Sequence, residues 1–293
     1  MAIDPVFLTW APQGRTLGLA DQYRLVDIHD GDTPSIRMPI RMLSVDTPEI
    51  TSEVPSRARE WDRRLAELAG WIADGVAPIG PDLAEALLPR IDHGRAGSLQ
   101  FEQGLEAAAW SRGRFDRRLE RGKRNLFVRT ADQPFDDNNR LLAYIAPNYT
   151  HTEREAMSRK DRSTFNLDLI EAGWGAPFLI YPSLPRGEDM ELFVEAAEAA
   201  VRQGRGAWAE PRSLPGYEYR MVEKLHRVTK RIVEGEAVTP EDRTGWRSRL
   251  CVDMETRRLF GPEAYSGIPH HRRLWLWPRD VDRARQEFGL VDA

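Results

Sequence analysis

Two short acidic segments near the start of the chain carry the residue types that metal-assisted chemistry needs. The first is DGDT, which contains Asp30 and Asp32, and the second is DTPE, which contains Asp46, Thr47 and Glu49. Each lies beside a strand-like run, so a hairpin between them would bring Asp32 and Asp46 together. Two carboxylates, a backbone carbonyl and waters make an oxygen site that suits a hard divalent cation. Such a cation offsets the repulsion between the carboxylates and polarises a phosphoryl oxygen.

Two arginines add the means to hold a phosphate group. Arg41 lies five residues before Asp46, and Arg140 opens the strand-like run RLLAYIA. A planar guanidinium can grip a phosphate through two N–H donors and stabilise the charge that builds on its oxygens. Glu49 can orient or deprotonate an attacking water. Because DGDT alone is an ordinary turn sequence, the interpretation as a site depends on the acidic and basic residues together.

The surrounding sequence predicts the elements that must position these residues. Alternating residues over 15–49 predict strands, with a tight turn near Pro39. Apolar residues at helical spacing predict helices at about 56–75, 82–91, 101–119, 167–172, 188–202 and 217–233. Further strand-like runs are NLFVRT, RLLAYIA and, near the end of the chain, RLCVDM, RRLF and RLWLW. HGRAGS, at 93–98, is typical of a loop.

Composition and charge limit the class of protein. No run approaches the roughly 18 apolar residues of a membrane span, and the start has no basic segment before an apolar stretch, so we expect no membrane contact and no signal peptide. Cys251 is the only cysteine, which excludes an intramolecular disulfide. These features favour the cytoplasm. The net charge of −4 means that any positive surface for a polyanion must be local, and segment 111–130, with eight basic and two acidic residues, is one place for it.

The acidic and basic segments together resemble a known family. The pattern D-G-D-T, then R-x4-D-T-P-E, then D-x3-R-x-L-A-Y-I, in that order, resembles thermonuclease, the staphylococcal nuclease family. NLDLIEAGWG and AAEAAVRQGRGAWAE resemble two later helices of the same family. The resemblance covers about residues 15–210 and is interrupted by an insertion. It implies an α+β fold in which helices cap a five-stranded OB-fold β-barrel, a fold that often binds nucleic acid.

The resemblance also implies a metal site. Asp32 and Asp46 match the carboxylate ligands of the family, and Thr47 matches the ligand that uses its backbone carbonyl. Asp30 matches an acidic residue near the metal that is not a direct ligand. The implied cofactor is one divalent cation, with Ca²⁺ first and Mg²⁺ or Mn²⁺ as alternatives.

The remaining family residues imply the reaction. Arg41 and Arg140 match the two phosphate-binding arginines, and Glu49 matches the residue proposed as general base. The implied activity is in-line attack of water on a phosphodiester of DNA or RNA, which leaves a 3′-phosphate. In one departure, Asn138 stands where the family usually has a tyrosine that stacks on a nucleotide. Phe178 or Tyr181 are candidates to replace it, and core packing is the alternative use of both.

The rest of the chain predicts two regions. Residues 1–210 form the nuclease-like domain, with a helical insertion at about 52–98, and residues 211–293 form a helix followed by a small strand-rich appendage. The insertion is either a lid or substrate-selecting wall beside the site, or a helical hairpin without a role there. Two other functions stay open: a non-catalytic OB-fold module that binds nucleic acid or protein, and a nuclease that its insertion keeps inactive. Nothing in the sequence identifies a protein partner.

Overall fold

A computed structural model describes residues 24–28, 32–50, 54–185 and 187–293. Within these ranges the chain is α+β, as the sequence predicts. The helices are α1 (Pro55–Ala73), α2 (Pro81–Ile91), α3 (Ala96–Arg118), α4 (His151–Ala156), α5 (Phe165–Glu171), α6 (Glu188–Arg202), α7 (Gly216–Val233), α8 (Pro240–Thr244) and α9 (Val281–Phe288). The strands are β1 (Arg24–Ile28), β2 (Pro34–Arg37), β3 (Ile40–Met42), β4 (Ser44–Asp46), β5 (Leu126–Phe135), β6 (Leu141–Pro147), β7 (Ala176–Ile180), β8 (Leu250–Asp253), β9 (Arg258–Phe260), β10 (Arg273–Leu276) and β11 (Val291–Asp292).

The chain divides into two compact units. The first consists of Met1–Arg41 and Thr130–Ala143, and the second of Met42–Arg129 and Tyr144–Ala293. In the first unit β1 and β2 pair antiparallel. The described strands β2 and β3, on either side of Pro39, belong to different sheets, so the prediction of a hairpin that turns near Pro39 is wrong. The predicted site residues are distributed over both units, so each half of the site is described by itself.

A six-stranded sheet in the second unit has the order β11–β9–β8–β10–β7–β4. Strand β7 pairs antiparallel with β4, where Asp46 lies opposite Ala176. On its other edge β7 pairs parallel with β10, with Leu274 opposite Leu179. Strands from both sides of residue 210 therefore belong to one sheet.

A third sheet has the order β3–β6–β5. Among the described residues no sheet closes into a barrel. The α+β class is confirmed, and the five-stranded OB-fold barrel is not.

Helices α1 and α7 supply much of the core beside the six-stranded sheet. Pro55 begins α1, where a missing N–H costs nothing because the first turn has no intrahelical acceptor. Leu65 and Leu68 of α1 and Val222 and Leu225 of α7 are all fully buried and belong to one apolar cluster. The spacing of three residues within each pair places these side chains on one face of each helix. The helices of the predicted insertion thus form part of the main core.

Two further predictions concern membrane spans and the single cysteine. No helix within the described ranges combines the length and the apolar character that a membrane span requires. Cys251 is fully buried in β8, and burial raises the pKa of its thiol to about 12.

Candidate active site

The predicted site residues fall into two groups. The first unit contains Asp32, Arg41 and Arg140, and the second contains Asp46, Thr47 and Glu49. Asp30 lies outside the described residues. Asp32 is exposed in the turn before β2, where it accepts a hydrogen bond from the Thr33 hydroxyl at 3.2 Å.

A tight turn in the first unit holds Arg140. The Asp136 carboxylate accepts the backbone N–H of Arg140 at 2.9 Å and its Nε–H at 2.8 Å. Burial raises the pKa of Asp136, but the hydrogen bonds from Arg140 outweigh it and leave that pKa below its ordinary value. Asn139 has a φ of 57°, a left-handed conformation that asparagine tolerates better than most residues. The turn fixes the Arg140 guanidinium, whose side chain is 38% exposed.

In the second unit, two predicted site carboxylates converge on one cationic side chain from α7. Arg220 donates from Nη2 to both oxygens of Asp46, at 3.1 and 3.0 Å, and from Nη1 to Oε1 of Glu49. Asp46 is only 1% exposed, whereas the Glu49 side chain is 32% exposed. Burial lowers the pKa of Arg220, but Asp46 and Glu49 raise it above its ordinary value. Asp46, the predicted metal ligand, and Glu49, the predicted general base, thus both bind the positive charge of Arg220.

The first turn of α7 also covers the third predicted group of this half. A Cβ atom at Gly216 would overlap the Thr47 carbonyl oxygen and lie 2.7 Å from Oδ2 of Asp46. Only glycine lets the helix start this close to the carbonyl and the carboxylate. The positive end of the α7 dipole thus lies beside the Asp46 carboxylate.

These contacts determine whether a divalent cation can bind to Asp46 and Thr47 in the described arrangement. Asp46 already faces a guanidinium, and the Thr47 carbonyl faces the backbone of Gly216. No group of three or more His, Cys, Asp or Glu side chains in the described ranges is arranged to hold a metal. A divalent cation does not fit beside Asp46 and Thr47 while α7 occupies this position.

Helix α3, which begins within the predicted insertion and extends beyond it, supports the Glu49 segment from the other side. The amide oxygen of Gln100 in α3 accepts the backbone N–H of Glu49 at 2.8 Å, and its nitrogen donates to the Leu214 carbonyl at 3.0 Å. Glu49 faces an open groove of about 500 Å³ between α1 and α7. The groove is lined by Glu49, Arg57, Glu60, Trp61, Arg64, Arg220, Glu223 and Arg227. The insertion therefore forms one wall beside Glu49.

The two predicted stacking residues are engaged inside the protein. Phe178 is 7% exposed, and its ring stacks on Tyr217 with centroids 4.8 Å apart and planes 6° apart. Tyr181 is 2% exposed and donates from its hydroxyl to Glu287 at 2.6 Å. Stacking of a nucleotide on either ring stays a prediction that requires neighbouring side chains to move.

Part of the basic segment at 111–130 has a structural use. Arg114 and Arg118 contact the buried Asp168 at 2.8 and 2.7 Å. Arg124 pairs with Glu153, which is partly exposed, at 2.8 Å. These three of the eight basic side chains are paired within the protein, so the charge available for a polyanion is smaller than the sequence suggests.

Arg220 and Gly216 are the site residues that sequence reasoning missed. Arg220 lies in the helix predicted at 217–233, and Gly216 lies one residue before it. The pattern there predicted a helix and gave no sign of a role in the site. No spacing rule connects Arg220 with residues that precede it by 174 and 171 positions.

The comparisons with known proteins identify no family for this chain. No family model matches the chain, and a search of curated proteins found no match. The thermonuclease resemblance is carried by the motifs alone.

Proposed function

We propose that the chain is a nuclease of the thermonuclease type that hydrolyses phosphodiester bonds of DNA or RNA. The observation that supports it best is the convergence of Asp46 and Glu49 on one cation-binding position. The proposal also includes three residues of the first unit, with Asp32 as a metal ligand and Arg41 and Arg140 as phosphate-binding residues. It also includes the five-stranded OB-fold barrel that the family resemblance implies.

The proposed chemistry assigns one task to each side chain. Arg41 and Arg140 bind the phosphate oxygens and stabilise the charge that builds on them. Glu49 accepts a proton from a water as that water attacks phosphorus in line with the leaving group. The new P–O bond forms, the bond to the 5′-oxygen breaks, and the 5′-oxygen takes a proton from solvent. The products carry a 3′-phosphate and a 5′-hydroxyl.

The divalent cation, Ca²⁺ or else Mg²⁺ or Mn²⁺, belongs to this proposal as a prediction. Asp32, Asp46 and Thr47 are its proposed ligands, and Asp46 and Thr47 both contact α7. The proposed cation therefore requires that Arg220 leave Asp46, and the described arrangement corresponds to a closed site.

A second candidate function is a non-catalytic module that binds nucleic acid or protein. The Arg220 contact favours it, because a guanidinium that permanently neutralises Asp46 and Glu49 would leave no catalytic carboxylate available. A nuclease held inactive by its insertion is less well supported, since the side chain on the carboxylates comes from α7. A deletion of 55–95 would test inhibition by the insertion, but it would also remove α1 from the core. A point substitution at Arg220 therefore separates the candidate functions better.

The test uses purified full-length protein with single-stranded DNA, double-stranded DNA and RNA, each with EDTA, Ca²⁺, Mg²⁺ or Mn²⁺. We expect Arg220→Gln to raise cleavage above that of the unmodified chain with at least one metal. In the Arg220→Gln background, Glu49→Gln or Arg140→Ala should reduce cleavage by about 100-fold or more, as loss of general-base or oxyanion stabilisation does.

Matched controls are Glu195→Gln and Arg154→Ala in the same background, since both side chains are exposed and have no ion-pair partner among the described residues. Binding of nucleic acid without cleavage, by every variant and with every metal, would refute the nuclease and support the module. End-group analysis of the products tests the 3′-phosphate.

A further inference from the structure

A second pocket is also lined by Arg220, and neither Asp46 nor Glu49 lines it. Its cavity volume is about 80 Å³, room for one tetrahedral anion and too little for a whole nucleotide. It is lined by Phe178, Tyr217, Arg220, Met221, Lys224, Trp246, Arg247, Ser248, Arg249, Pro262, Tyr265 and Trp275. The lining contains four cationic side chains and no carboxylate.

Two of the four cations have acidic partners and two have none. Arg220 contacts Asp46 and Glu49, and Arg247 contacts Glu263. Within the described ranges, Lys224 and Arg249 form no ion pair with a carboxylate. Burial and the nearby Arg220 lower the pKa of Arg249 to about 10. Burial, Arg249 and Arg220 also lower the pKa of Lys224. The pocket therefore contains two cationic side chains that form no ion pair within the described ranges, although the Asp46 carboxylate acts on Arg249 at longer range.

Aromatic rings fix the position of Arg249. Its guanidinium carbon lies 4.8 Å from the ring centre of Phe178 and 5.2 Å from that of Trp277. Cation–π contacts of this kind hold a guanidinium by its faces and leave its N–H donors in the plane for a ligand. The Arg249 donors are thus preorganised, which reduces the entropy lost when an anion binds.

We propose that this pocket binds a phosphate group through Arg249, Lys224 and Arg220. The size of the cavity and the planar, fixed donors of Arg249 suit a compact tetrahedral oxyanion. The group comes either from inorganic phosphate or from the terminal phosphate of a nucleic acid strand. The proposal does not depend on the nuclease function, because binding requires no cleavage.

The test is isothermal titration calorimetry of the full-length protein with inorganic phosphate, at constant ionic strength kept by chloride. Arg249→Gln and Lys224→Gln should each weaken phosphate binding, Arg249→Gln by about tenfold or more, as loss of a charge-assisted donor does. Arg279→Gln is the matched control, since its side chain is 72% exposed and lies outside the pocket, and it should bind like the unmodified chain. Two oligonucleotides that differ only in a 5′-phosphate distinguish the sources.

Each outcome decides the proposal. Binding that both pocket variants weaken and the control does not supports it. No heat of binding with phosphate or with the 5′-phosphorylated strand overturns it, as does equal binding by all three variants. Lys224 is exposed, so Lys224→Gln decides the question even if Arg249→Gln does not fold.

Discussion

Helix α7 contributes to two ion clusters whose charges are arranged in opposite ways. Around Glu218, one carboxylate lies between two guanidinium groups, with Arg90 at 2.6 Å and Arg273 at 2.7 Å. Around Arg220, two residues further on, one guanidinium lies between the carboxylates of Asp46 and Glu49. The first group of three charges has a net charge of +1 and the second a net charge of −1.

The difference separates a structural cluster from one that can exchange its partner. Glu218 and Arg273 are 2% and 4% exposed at their side chains, so water cannot replace either partner cheaply. Arg220 and Glu49 are 34% and 32% exposed, so solvent reaches this cluster and an exchange of partners costs less. This difference in burial is why the Arg220 cluster, and not the Glu218 cluster, belongs to the proposed site.

The largest expected effect tests the structural cluster. Glu218→Gln leaves the charges of Arg90 and Arg273 buried without their carboxylate, so we expect the free energy of unfolding to fall by about 3–5 kcal/mol. Urea denaturation followed by circular dichroism measures the change. Glu234→Gln, in an exposed pair on the same helix, should alter it by less than about 1 kcal/mol. Equal losses in the two variants would contradict the distinction.

Acid should weaken the same cluster. Burial raises the pKa of Glu218, but Arg90 and Arg273 outweigh it and lower that pKa from 4.5 to about 2. The folded state holds the proton more weakly than the unfolded chain, so the stabilisation is complete above pH 4.5 and is lost as the pH falls towards 2. At about 1.4 kcal/mol per pKa unit, the loss is about 3 kcal/mol. Unfolding curves between pH 5 and 2.5 should show a smaller decrease for Glu218→Gln, and parallel curves would exclude this assignment.

The smallest effect concerns the exchangeable cluster. Arg220→Gln should lower the free energy of unfolding by only about 1–2 kcal/mol, because solvent reaches Glu49 and part of Arg220. Excess Ca²⁺ should then stabilise the variant by about 1–2 kcal/mol, and EDTA should reverse this. The unmodified chain should respond less, since Arg220 competes for Asp46. If Ca²⁺ raised the free energy of unfolding of the variant and of the unmodified chain equally, Arg220 would not occupy a cation site.

Local patterns predicted most helices. The helix predicted at 188–202 is observed as Glu188–Arg202, and that at 82–91 as Pro81–Ile91, because amphipathic spacing is a property of neighbouring residues. Helix α3 begins at Ala96, within the segment HGRAGS that the sequence assigned to a loop. Gly97 sits against α1 so closely that a Cβ atom would overlap Ala58. Tertiary packing there overrides the low helix propensity of glycine.

Only the part of the site that neighbouring residues form was predictable from the sequence. Asp46 and Glu49 are three residues apart after a strand, so their proximity follows from the chain itself. Arg220 reaches them through the packing of α7, and an ion pair over 174 residues leaves no periodic signal. The same limit applies to the pairing of β10 with β7, since parallel partners can be any distance apart in sequence.

The parallel pairing of β10 with β7 sets an order of events during synthesis. Strand β7 is complete at Ile180, and its partner begins at Arg273, so at about 5–20 residues per second the ribosome needs roughly 5–20 s to supply it. For that interval the nascent chain carries an apolar strand with one open edge, which other chains can pair with. Arg220 is translated 174 residues after Asp46, so the contact between them also forms only late in synthesis. The parallel edge of β7 therefore stays open to pairing until most of the chain has been made.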